Sequence, residues 1–258
     1  MMKEPHDLVV DIGNTRTKLG LFSLGRMVRH GAMEHGDLGA LAAFLGDLRL
    51  AGTVIGQVGA GNEKVRSVLQ GMAPVLEVDG STPLPIASAY GTPMTLGVDR
   101  LANAVGAKRH FPDRAVLVID MGSCITCDVV ERDGTYAGGA ISPGVHMRAR
   151  AMNAYSARLP LVYLGDPPSI LGTDTERSLQ AGLFHGVLGE LKEYIRAYGH
   201  ERPAMAVTLT GGDAPRFIGA LKSGIFAHPL LTLEGLHAIL VHNRDNGGIA
   251  HRHSGFRP

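Results

Sequence analysis

One short motif occurs twice in this 258-residue chain, each time directly after a run of apolar, β-branched residues. The first copy is residues 11–17 (DIGNTRT) and the second is residues 120–126 (DMGSCIT), with Asp, Gly and Thr in the same places at a constant offset. Further predicted strands follow each copy. The chain is therefore predicted to consist of two similar halves, each beginning with a strand, a tight turn and a second strand.

The repeated turn suits the binding of a nucleotide. A glycine allows the backbone to approach a phosphate without a Cβ in the way, and the N–H groups and hydroxyls of such a turn can donate to phosphate oxygens. The carboxylate at the end of the strand can hold a cation that offsets the phosphate charge. Ordinary hairpin turns also use Asp-x-Gly, but two copies with the same additional Thr favour nucleotide binding.

Hydrophobic periodicity predicts alternating strands and helices in both halves. In the first half, strands are predicted over 8–11, 17–22, 26–32, 53–58 and 74–78, and helices over 38–45, 63–72 and 97–110. In the second half, strands are predicted over 116–120, 125–131, 135–141 and 205–210, with helices from 143, over 174–198, after 212 and over 232–243. The stretch between 79 and 93 is rich in Gly, Ser, Thr and Pro and is predicted to be a loop.

The longest predicted helix carries both end signals and a set of internal glycines. Thr173 and Glu176 have the spacing of a capping box, and Gly199 suits a C-terminal cap. Each glycine inside a helix costs about 1 kcal/mol relative to Ala. Three lie here: Gly182, Gly186 and Gly189. Either another backbone, such as that of a partner subunit, approaches closely, or the glycines are simply tolerated.

Composition narrows the class of protein. The chain has 25 Lys and Arg against 24 Asp and Glu, and the two signs are interspersed, so no basic face indicates nucleic acid or an anionic membrane as a partner. No apolar run has the length of a membrane span or a signal peptide. The two cysteines, Cys124 and Cys127, build no disulfide framework and lack the second pair of a zinc site. A cytoplasmic protein is expected.

A third motif joins the two turns. Gly211-Gly212 follows the predicted strand 205–210 and looks like an adenosine motif. In this order, the three motifs resemble the acetate kinase, sugar kinase, heat-shock ATPase and actin superfamily. The resemblance implies an α/β fold with two ribonuclease-H-like (actin-like ATPase) domains and a nucleotide cleft between them. The expected domains are 1–112 and 113–258, with a loose tail from about 244.

Six blocks narrow the resemblance to one family. They are 11–15 (DIGNT), 96–100 (LGVDR) preceded by Tyr90, 120–128 (DMGSCITCD), 138–144 (GGAISPG), Thr175 with Gln180 and Gly182, and 210–213 (TGGD). In this order and at these separations the chain is similar to type III pantothenate kinase over nearly its whole length. The resemblance implies ATP-dependent phosphorylation of pantothenate to 4′-phosphopantothenate, the first step of coenzyme A biosynthesis, by a homodimer.

The same resemblance implies the ligands of the nucleotide and the cations. Ser123 would contact ATP, Asp11 would face Mg²⁺, and Asp120 would hold a monovalent cation, K⁺ or NH₄⁺. The residues implied to bind the ATP phosphates form the first turn and the start of the next strand: Asp11, Ile12, Gly13, Asn14, Thr15, Arg16, Thr17 and Lys18. Position 123 is Ser where the family usually has Thr; because the hydroxyl is kept, activity is expected to survive.

The pantothenate site is implied to be built around the second block. Its members are Tyr90, Gly97, Val98, Asp99, Arg100 and Thr175, the last reaching substrate across a dimer interface. Asp99 would be the general base for the substrate hydroxyl, a role that suits phosphoryl transfer. From the residues alone, Asp99 is more simply an N-cap or first-turn acid of a helix. Arg100 could instead anchor the carboxylate of pantothenate, and Thr175 could be a capping residue.

Two other functions remain open at this point. One is a different small-molecule kinase of the same superfamily, such as a sugar or N-acetylhexosamine kinase, which a substrate panel would separate. The other is a non-catalytic accessory or regulatory protein that keeps the fold. The presence of Asp11, Asp99 and Asp120 together argues against the second alternative, because a pure binding protein does not need all three.

Overall fold

The computed structural model describes residues 4–57, 63–221 and 224–247. The chain divides into two compact units, Met1–Gly106 with Leu231–Pro258, and Ala107–Leu230. The last residue of the strand predicted over 53–58, and the part of the predicted loose tail beyond residue 247, lie outside the described residues.

The first unit is built on a five-stranded mixed sheet. Its strands are β1 (His6–Ile12), β2 (Thr17–Ser23), β3 (Arg26–Met33), β4 (Leu50–Gln57) and β5 (Val75–Val78). The order is β3-β2-β1-β4-β5; β2 runs antiparallel to β1 and β3, and β4 is parallel to β1 and β5. The helices of this unit are α1 (Leu38–Leu45), α2 (Glu63–Gln70), most of α3 (Val98–His110) and α7 (Leu231–Asp245), with a short 3₁₀ helix over Pro93–Thr95.

The second unit repeats this sheet. Its strands are β6 (Val116–Met121), β7 (Cys124–Val130), β8 (Tyr136–Pro143), β9 (Ala206–Thr210) and β10 (Ile225–Ala227), in the order β8-β7-β6-β9-β10. Its helices are α4 (Val145–Ala154), α5 (Thr175–Glu201) and α6 (Ala214–Ile218). The strand directions also match those of the first sheet. The prediction of two similar ribonuclease-H-like α/β units is confirmed.

The two turns differ in length, which corrects one part of the sequence alignment. In the first turn Ile12 pairs with Thr17, so four residues lie between the strands. In the second, Met121 pairs with Ile125, so three residues lie between them. The Asp and Gly positions remain equivalent, but Thr126 pairs with Asp120 while Thr17 does not pair with Asp11. The prediction that Thr17 and Thr126 occupy equivalent positions was therefore wrong. The extra residue of the first turn shifts β2 by one position relative to β7, so that Lys18 and not Thr17 is equivalent to Thr126.

Glycines let α7 lie directly on one face of the first sheet. A Cβ at Gly56 would be 2.9 Å from Leu236, and Cβ atoms at Gly20 and Gly52 would lie against the leucines before and after it on the same helix. Core side chains from α1 and α2 cover the opposite face. Both faces of the central strands β1 and β4 are therefore buried, as their near-continuous apolar sequences require, whereas the edge strand β3 is largely exposed.

Helices α3 and α7 cross in close contact. A Cβ at Gly235 would lie only 1.8 Å from the carbonyl oxygen of Ala102, and one at Gly106 would lie 2.8 Å from that of Leu231. Thr232 Oγ1 also donates to Asn103 Oδ1 at 2.8 Å within this contact. The crossing fixes α3, whose first turn carries Asp99 and Arg100.

The ends of α5 and α7 differ from the sequence predictions. Asp174, and not Thr173, is the N-cap of α5, because its Oδ1 accepts from Arg177 N at 2.8 Å. The helix continues through Gly199 to Glu201, so the predicted C-terminal cap at Gly199 is wrong. Helix α7 includes Arg244, where the loose tail was expected to begin.

The compact units join α7 to the first sheet, whereas the sequence division placed it with the second half. Whether the domains 1–112 and 113–258 fold independently is not decided by this division, so the boundary after Pro112 stays a prediction. Among the helices of the described ranges, none has the length and apolar character needed to cross a membrane.

A buried carboxylate fastens α7 to β1. Asp7 Oδ1 accepts from Arg244 Nη1 at 2.8 Å, and Asp7 Oδ2 lies 3.1 Å from His237 Nε2. The His237 ring stacks on Phe22 of β2, with centroids 3.9 Å apart. Burial by itself raises the pKa of Asp7, but the bonds from His237 and Arg244 outweigh it, so this pKa lies below its ordinary value of 3.8.

Asp7→Asn is expected to lower the free energy of unfolding at pH 7 by about 2 kcal/mol, because two hydrogen bonds to a charged group are weakened. A depressed carboxyl pKa contributes stability above about pH 4, and this contribution is lost as the pH falls through the folded value. The deficit relative to wild type should therefore shrink below about pH 4 in urea unfolding curves. Glu77→Gln, which breaks the exposed Arg66–Glu77 pair of the same unit, is the control and should cost less than about 0.5 kcal/mol. Equal losses, or a deficit that does not change with pH, would contradict this.

Candidate active site

The first turn closes as a hairpin whose tip is open to solvent. Gly13 N donates to Arg16 O at 3.2 Å, and Asn14, Thr15 and Arg16 are exposed. Arg16 Nε lies 3.8 Å from Glu34 Oε1 in an exposed ion pair, and the backbone N–H groups of the tip can face a phosphate group. Such a tip can accommodate an anionic ligand, and its part in binding the ATP phosphates stays a prediction.

The strands beside this turn hold its other predicted ligands. Asp11 is buried at the end of β1, with Lys18 Nζ 3.9 Å from Asp11 Oδ2. The Ile12 and Thr17 side chains are also buried, and Thr17 Oγ1 lies 3.0 Å from His35 Nδ1. Because these side chains are buried, Ile12 and Thr17 could contact a phosphate only through their backbone groups.

The block 97–100 and Tyr90 come together at the start of α3. Arg100 is only 4% exposed, and its guanidinium lies 5.6 Å from the centroid of the Tyr90 ring. Asp99 lies in the first helical turn and accepts from Arg100 N at 2.8 Å through Oδ1. A Cβ at Gly97 would be 2.5 Å from the same oxygen, so a side chain there would displace the Asp99 carboxylate from this position. The carboxylate of Asp99, the buried guanidinium of Arg100 and the aromatic ring of Tyr90 thus come from a stretch of eleven residues, 90–100.

The second turn is enclosed by two glycines from other elements. Gly211, at φ +90°, lies so close to the end of β6 that a Cβ would be 2.5 Å from Asp120 Oδ1 and from the backbone of Met121. Gly144, the N-cap of α4, would place a Cβ 2.5 Å from the carbonyl oxygens of Gly122 and Ser123. Gly144 N also donates to Ser123 O at 3.1 Å. Ser123 itself is exposed.

The loop after β9 continues this arrangement. Asp213 N donates to Met121 O at 3.1 Å, and Asp213 Oδ1 accepts from Arg216 Nη1 at 2.7 Å. The predicted adenosine motif therefore lies against the strand that carries Asp120. Sequence reasoning did not assign the contacts of Gly144 and Arg216; the GGAISPG and TGGD blocks were the only signals for them.

Thr175 begins α5 and is exposed, with Asp174 as the cap before it. It lines a groove of about 370 Å³ together with Met152, Leu159, Ser178, Leu179 and Gly182. Free N–H groups of a first helical turn favour an anionic ligand. The capping interpretation of Thr175 is wrong, because Asp174 fills that role.

The described residues contain no cluster of three His, Cys, Asp or Glu side chains able to enclose a metal ion. Single carboxylates at strand ends, Asp11 and Asp120, are what a Mg²⁺ or K⁺ ion needs when phosphate oxygens, backbone carbonyls and water supply its other ligands. The donor set fits ions that accompany a nucleotide. Cys127 does not contribute, because burial, followed by the charges of Glu190 and Asp128, raises the pKa of its thiol to about 12.

The chain matches known proteins along most of its length. The family described as type III pantothenate kinase matches residues 7–197. A type III pantothenate kinase of Bacteroides fragilis is 41% identical over 244 residues, which are 94% of this chain and 100% of that protein. One of Phocaeicola vulgatus is 37% identical, covering 92% of this chain and 98% of that one.

A solved structure supports the fold. The activator of the 2-hydroxyisocaproyl-CoA dehydratase from Clostridium difficile, solved with bound ADPNP, superposes with a TM-score of 0.54 at 13% identity. The superposition covers 96% of this chain and 100% of that one. At this identity the likeness concerns the fold alone.

Gly211→Ala is expected to lower the free energy of unfolding by about 2 kcal/mol or more, because an L side chain at φ +90° is strained and its Cβ meets backbone. Gly212→Ala is the matched control, since no described atom lies within 4 Å of its Cβ position and its φ is not in the left-handed region. Denaturant unfolding of both variants measures the difference. Similar stabilities would mean that the Gly211 contact is not a constraint.

Proposed function

Because the chain belongs to the type III pantothenate kinases, which phosphorylate pantothenate with ATP in coenzyme A biosynthesis, we propose a role for each residue of its site. The observation that carries the proposal is the grouping of Asp99, buried Arg100 and Tyr90 at the start of α3. ATP with a divalent metal ion is the phosphate donor.

Asp99 is the general base that receives the proton of the pantothenate hydroxyl. Its position in the first turn of α3 stabilises the carboxylate through the helix dipole. The bond from Arg100 N fixes Oδ1, which leaves the orientation of the carboxyl group defined. Phosphoryl transfer depends on such positioning of the nucleophile more than on covalent chemistry.

Arg100 and Tyr90 shape the pantothenate site. A guanidinium over an aromatic face is held in place by the cation–π attraction, which keeps the buried charge oriented. Gly97 lies beside the Asp99 carboxylate, and Val98 lines the same site next to it. Thr175, on the exposed start of α5, contacts pantothenate from the partner subunit of a dimer.

The two turns bind ATP and its cations. The tip of the first turn donates to the phosphates, and Asp11 faces Mg²⁺, which when bound offsets the phosphate charge. Ser123 contacts ATP from the second turn, and Asp120 holds K⁺ or NH₄⁺. Since the reaction uses ATP, a cytoplasmic location is part of the proposal.

The test is release of ADP by the purified protein with ATP, Mg²⁺ and pantothenate, in K⁺ and then in Na⁺. Turnover that requires pantothenate and falls when Na⁺ replaces K⁺ is expected, if Asp120 holds K⁺ or NH₄⁺. A folded protein that binds ATP without turning over pantothenate would refute the proposal. Equal turnover in K⁺ and Na⁺ would refute only the cation role of Asp120.

Asp99→Asn is expected to lower kcat by about 10²- to 10⁴-fold, because the amide cannot accept the hydroxyl proton. Asp113→Asn, which changes an exposed acid just beyond the other end of α3, should leave kcat unchanged. Steady-state kinetics with circular dichroism as a check on folding distinguish the two. Undiminished turnover by folded Asp99→Asn would exclude Asp99 as the base.

A homodimer through α5 forms the second part of the proposal. Gly182, Gly186 and Gly189 share one exposed face of the helix, and no described atom lies within 4 Å of their Cβ positions. The glycines therefore serve no contact within this part of the chain. Large apolar side chains between the end of α4 and the start of α5 are exposed as well. Tyr155, Ile170 and Leu171 are each at least 73% exposed. Such an apolar surface is typical of a subunit interface.

Gly186→Trp should therefore convert the dimer to a monomer in light scattering, because the indole fills the space for the partner helix. Lys192→Trp places the same side chain elsewhere on the exposed surface of α5 and should leave the dimer intact. A wild-type monomer, or a dimer that tolerates both substitutions, would contradict an interface through these glycines.

A further inference from the structure

An ion pair in the second unit, outside the roles proposed above, joins α5 to the junction of β8 and α4. Arg148 Nη2 lies 2.5 Å from Glu190 Oε2, and their side chains are only 26% and 21% exposed. Ser142 Oγ donates to the other carboxylate oxygen, Glu190 Oε1. Both oxygens of Glu190 are therefore engaged, and the partial burial protects the pair from screening by salt.

A short run of backbone connects this ion pair to the second turn. Arg148 Nε donates to Pro143 O at 2.7 Å, and Arg148 N donates to Gly144 O at 2.9 Å. Gly144 N in turn donates to Ser123 O at 3.1 Å. Consecutive hydrogen bonds thus lead from Glu190 to Ser123.

The backbone at Gly144 packs so tightly against the second turn that a displacement of one moves the other. A Cβ there would be 2.5 Å from two carbonyl oxygens of the turn, so the two backbone segments already touch. Close-packed segments move together and do not deform independently. A shift of Pro143 and Gly144 therefore displaces Gly122 and Ser123.

We propose that Arg148 and Glu190 are positioning residues, which hold the second turn in the orientation that binds the ATP phosphates. The proposal rests on the proposed contact of Ser123 with ATP. Neither residue touches the substrate; they act through Pro143 and Gly144. Phosphoryl transfer is sensitive to such placement, because the protein contributes mainly by orienting charged groups.

The alternative is that the ion pair only fastens α5 to its sheet, and the chain contains a matched pair that tests this. Arg202 Nη2, at the C-cap of α5, lies 2.7 Å from Glu131 Oε1, with side chains 21% and 33% exposed. This pair also joins the helix to the β7–β8 region, but the hydrogen bonds of Glu131 and Arg202 do not lead to the second turn.

The experiment compares Glu190→Gln with Glu131→Gln in the full chain. The measurements are the KM for ATP at saturating pantothenate, the KM for pantothenate, and the Kd of a non-hydrolysable ATP analogue without pantothenate. For Glu190→Gln, both ATP values should rise about tenfold, while the KM for pantothenate stays within about twofold of wild type. Glu131→Gln should leave all three unchanged, although it loses a similar ion pair.

Unchanged ATP affinity in Glu190→Gln, or an equal rise in both variants, would overturn the proposal. If Glu190→Gln does not fold, Arg148→Lys provides the same test, because it keeps the charge but loses the Nε bond to Pro143; it should weaken analogue binding, and unchanged binding would overturn the proposal. The analogue Kd also separates this proposal from the proposed function. A wild-type protein without pantothenate turnover refutes the latter, while its analogue binding still tests the ion pair.

Discussion

The contact of Gly144 and Gly211 with the second turn is the constraint on which the rest of the site depends. Both glycines approach the turn at distances that no other residue permits, and they come from different elements, the start of α4 and the end of β9. Backbone contact of this kind leaves few alternative arrangements, because there is no side chain to rotate. The backbone positions from which Asp120 and Ser123 project are consequently fixed by the path of the main chain.

The strands and helices were predictable because their apolar residues follow the periodicities of buried strands and amphipathic helices. The grouping of Tyr90 with the start of α3 was also predictable, because these residues are close in sequence and belong to one block of the family resemblance. The length of the first turn could not be predicted, because the pattern Asp-x-Gly-x-x-x-Thr is compatible with a loop of three residues or of four.

Contacts between distant segments were beyond the sequence. Arg148 and Glu190 are separated by 42 positions and belong to separate helices, and neither stands out from other charged residues before the fold is known. The attachment of α7 to the first sheet was missed for the same reason. An apolar helix pattern shows that a face must be buried, but it does not show which sheet covers that face.

Two sheets with the same strand order carry different sequence blocks in this chain. The likeness to a dehydratase activator at 13% identity shows how widely the fold is shared, and a shared fold does not determine function. The first unit carries the block with Asp99, and the second carries the strand end with Asp120. The residue roles proposed above accordingly belong to these local blocks and not to the common architecture.

The return of α7 to the first sheet has a consequence for synthesis on the ribosome. The second unit is continuous in sequence and can be completed once Leu230 has emerged, whereas the first needs segments from both ends of the chain. Until residues 231–245 appear, the glycine-lined face of the first sheet has no helix to cover it. The last residue of the second unit is therefore synthesised before the last segment of the first, and a nascent N-terminal half without α7 exposes apolar strands that favour aggregation.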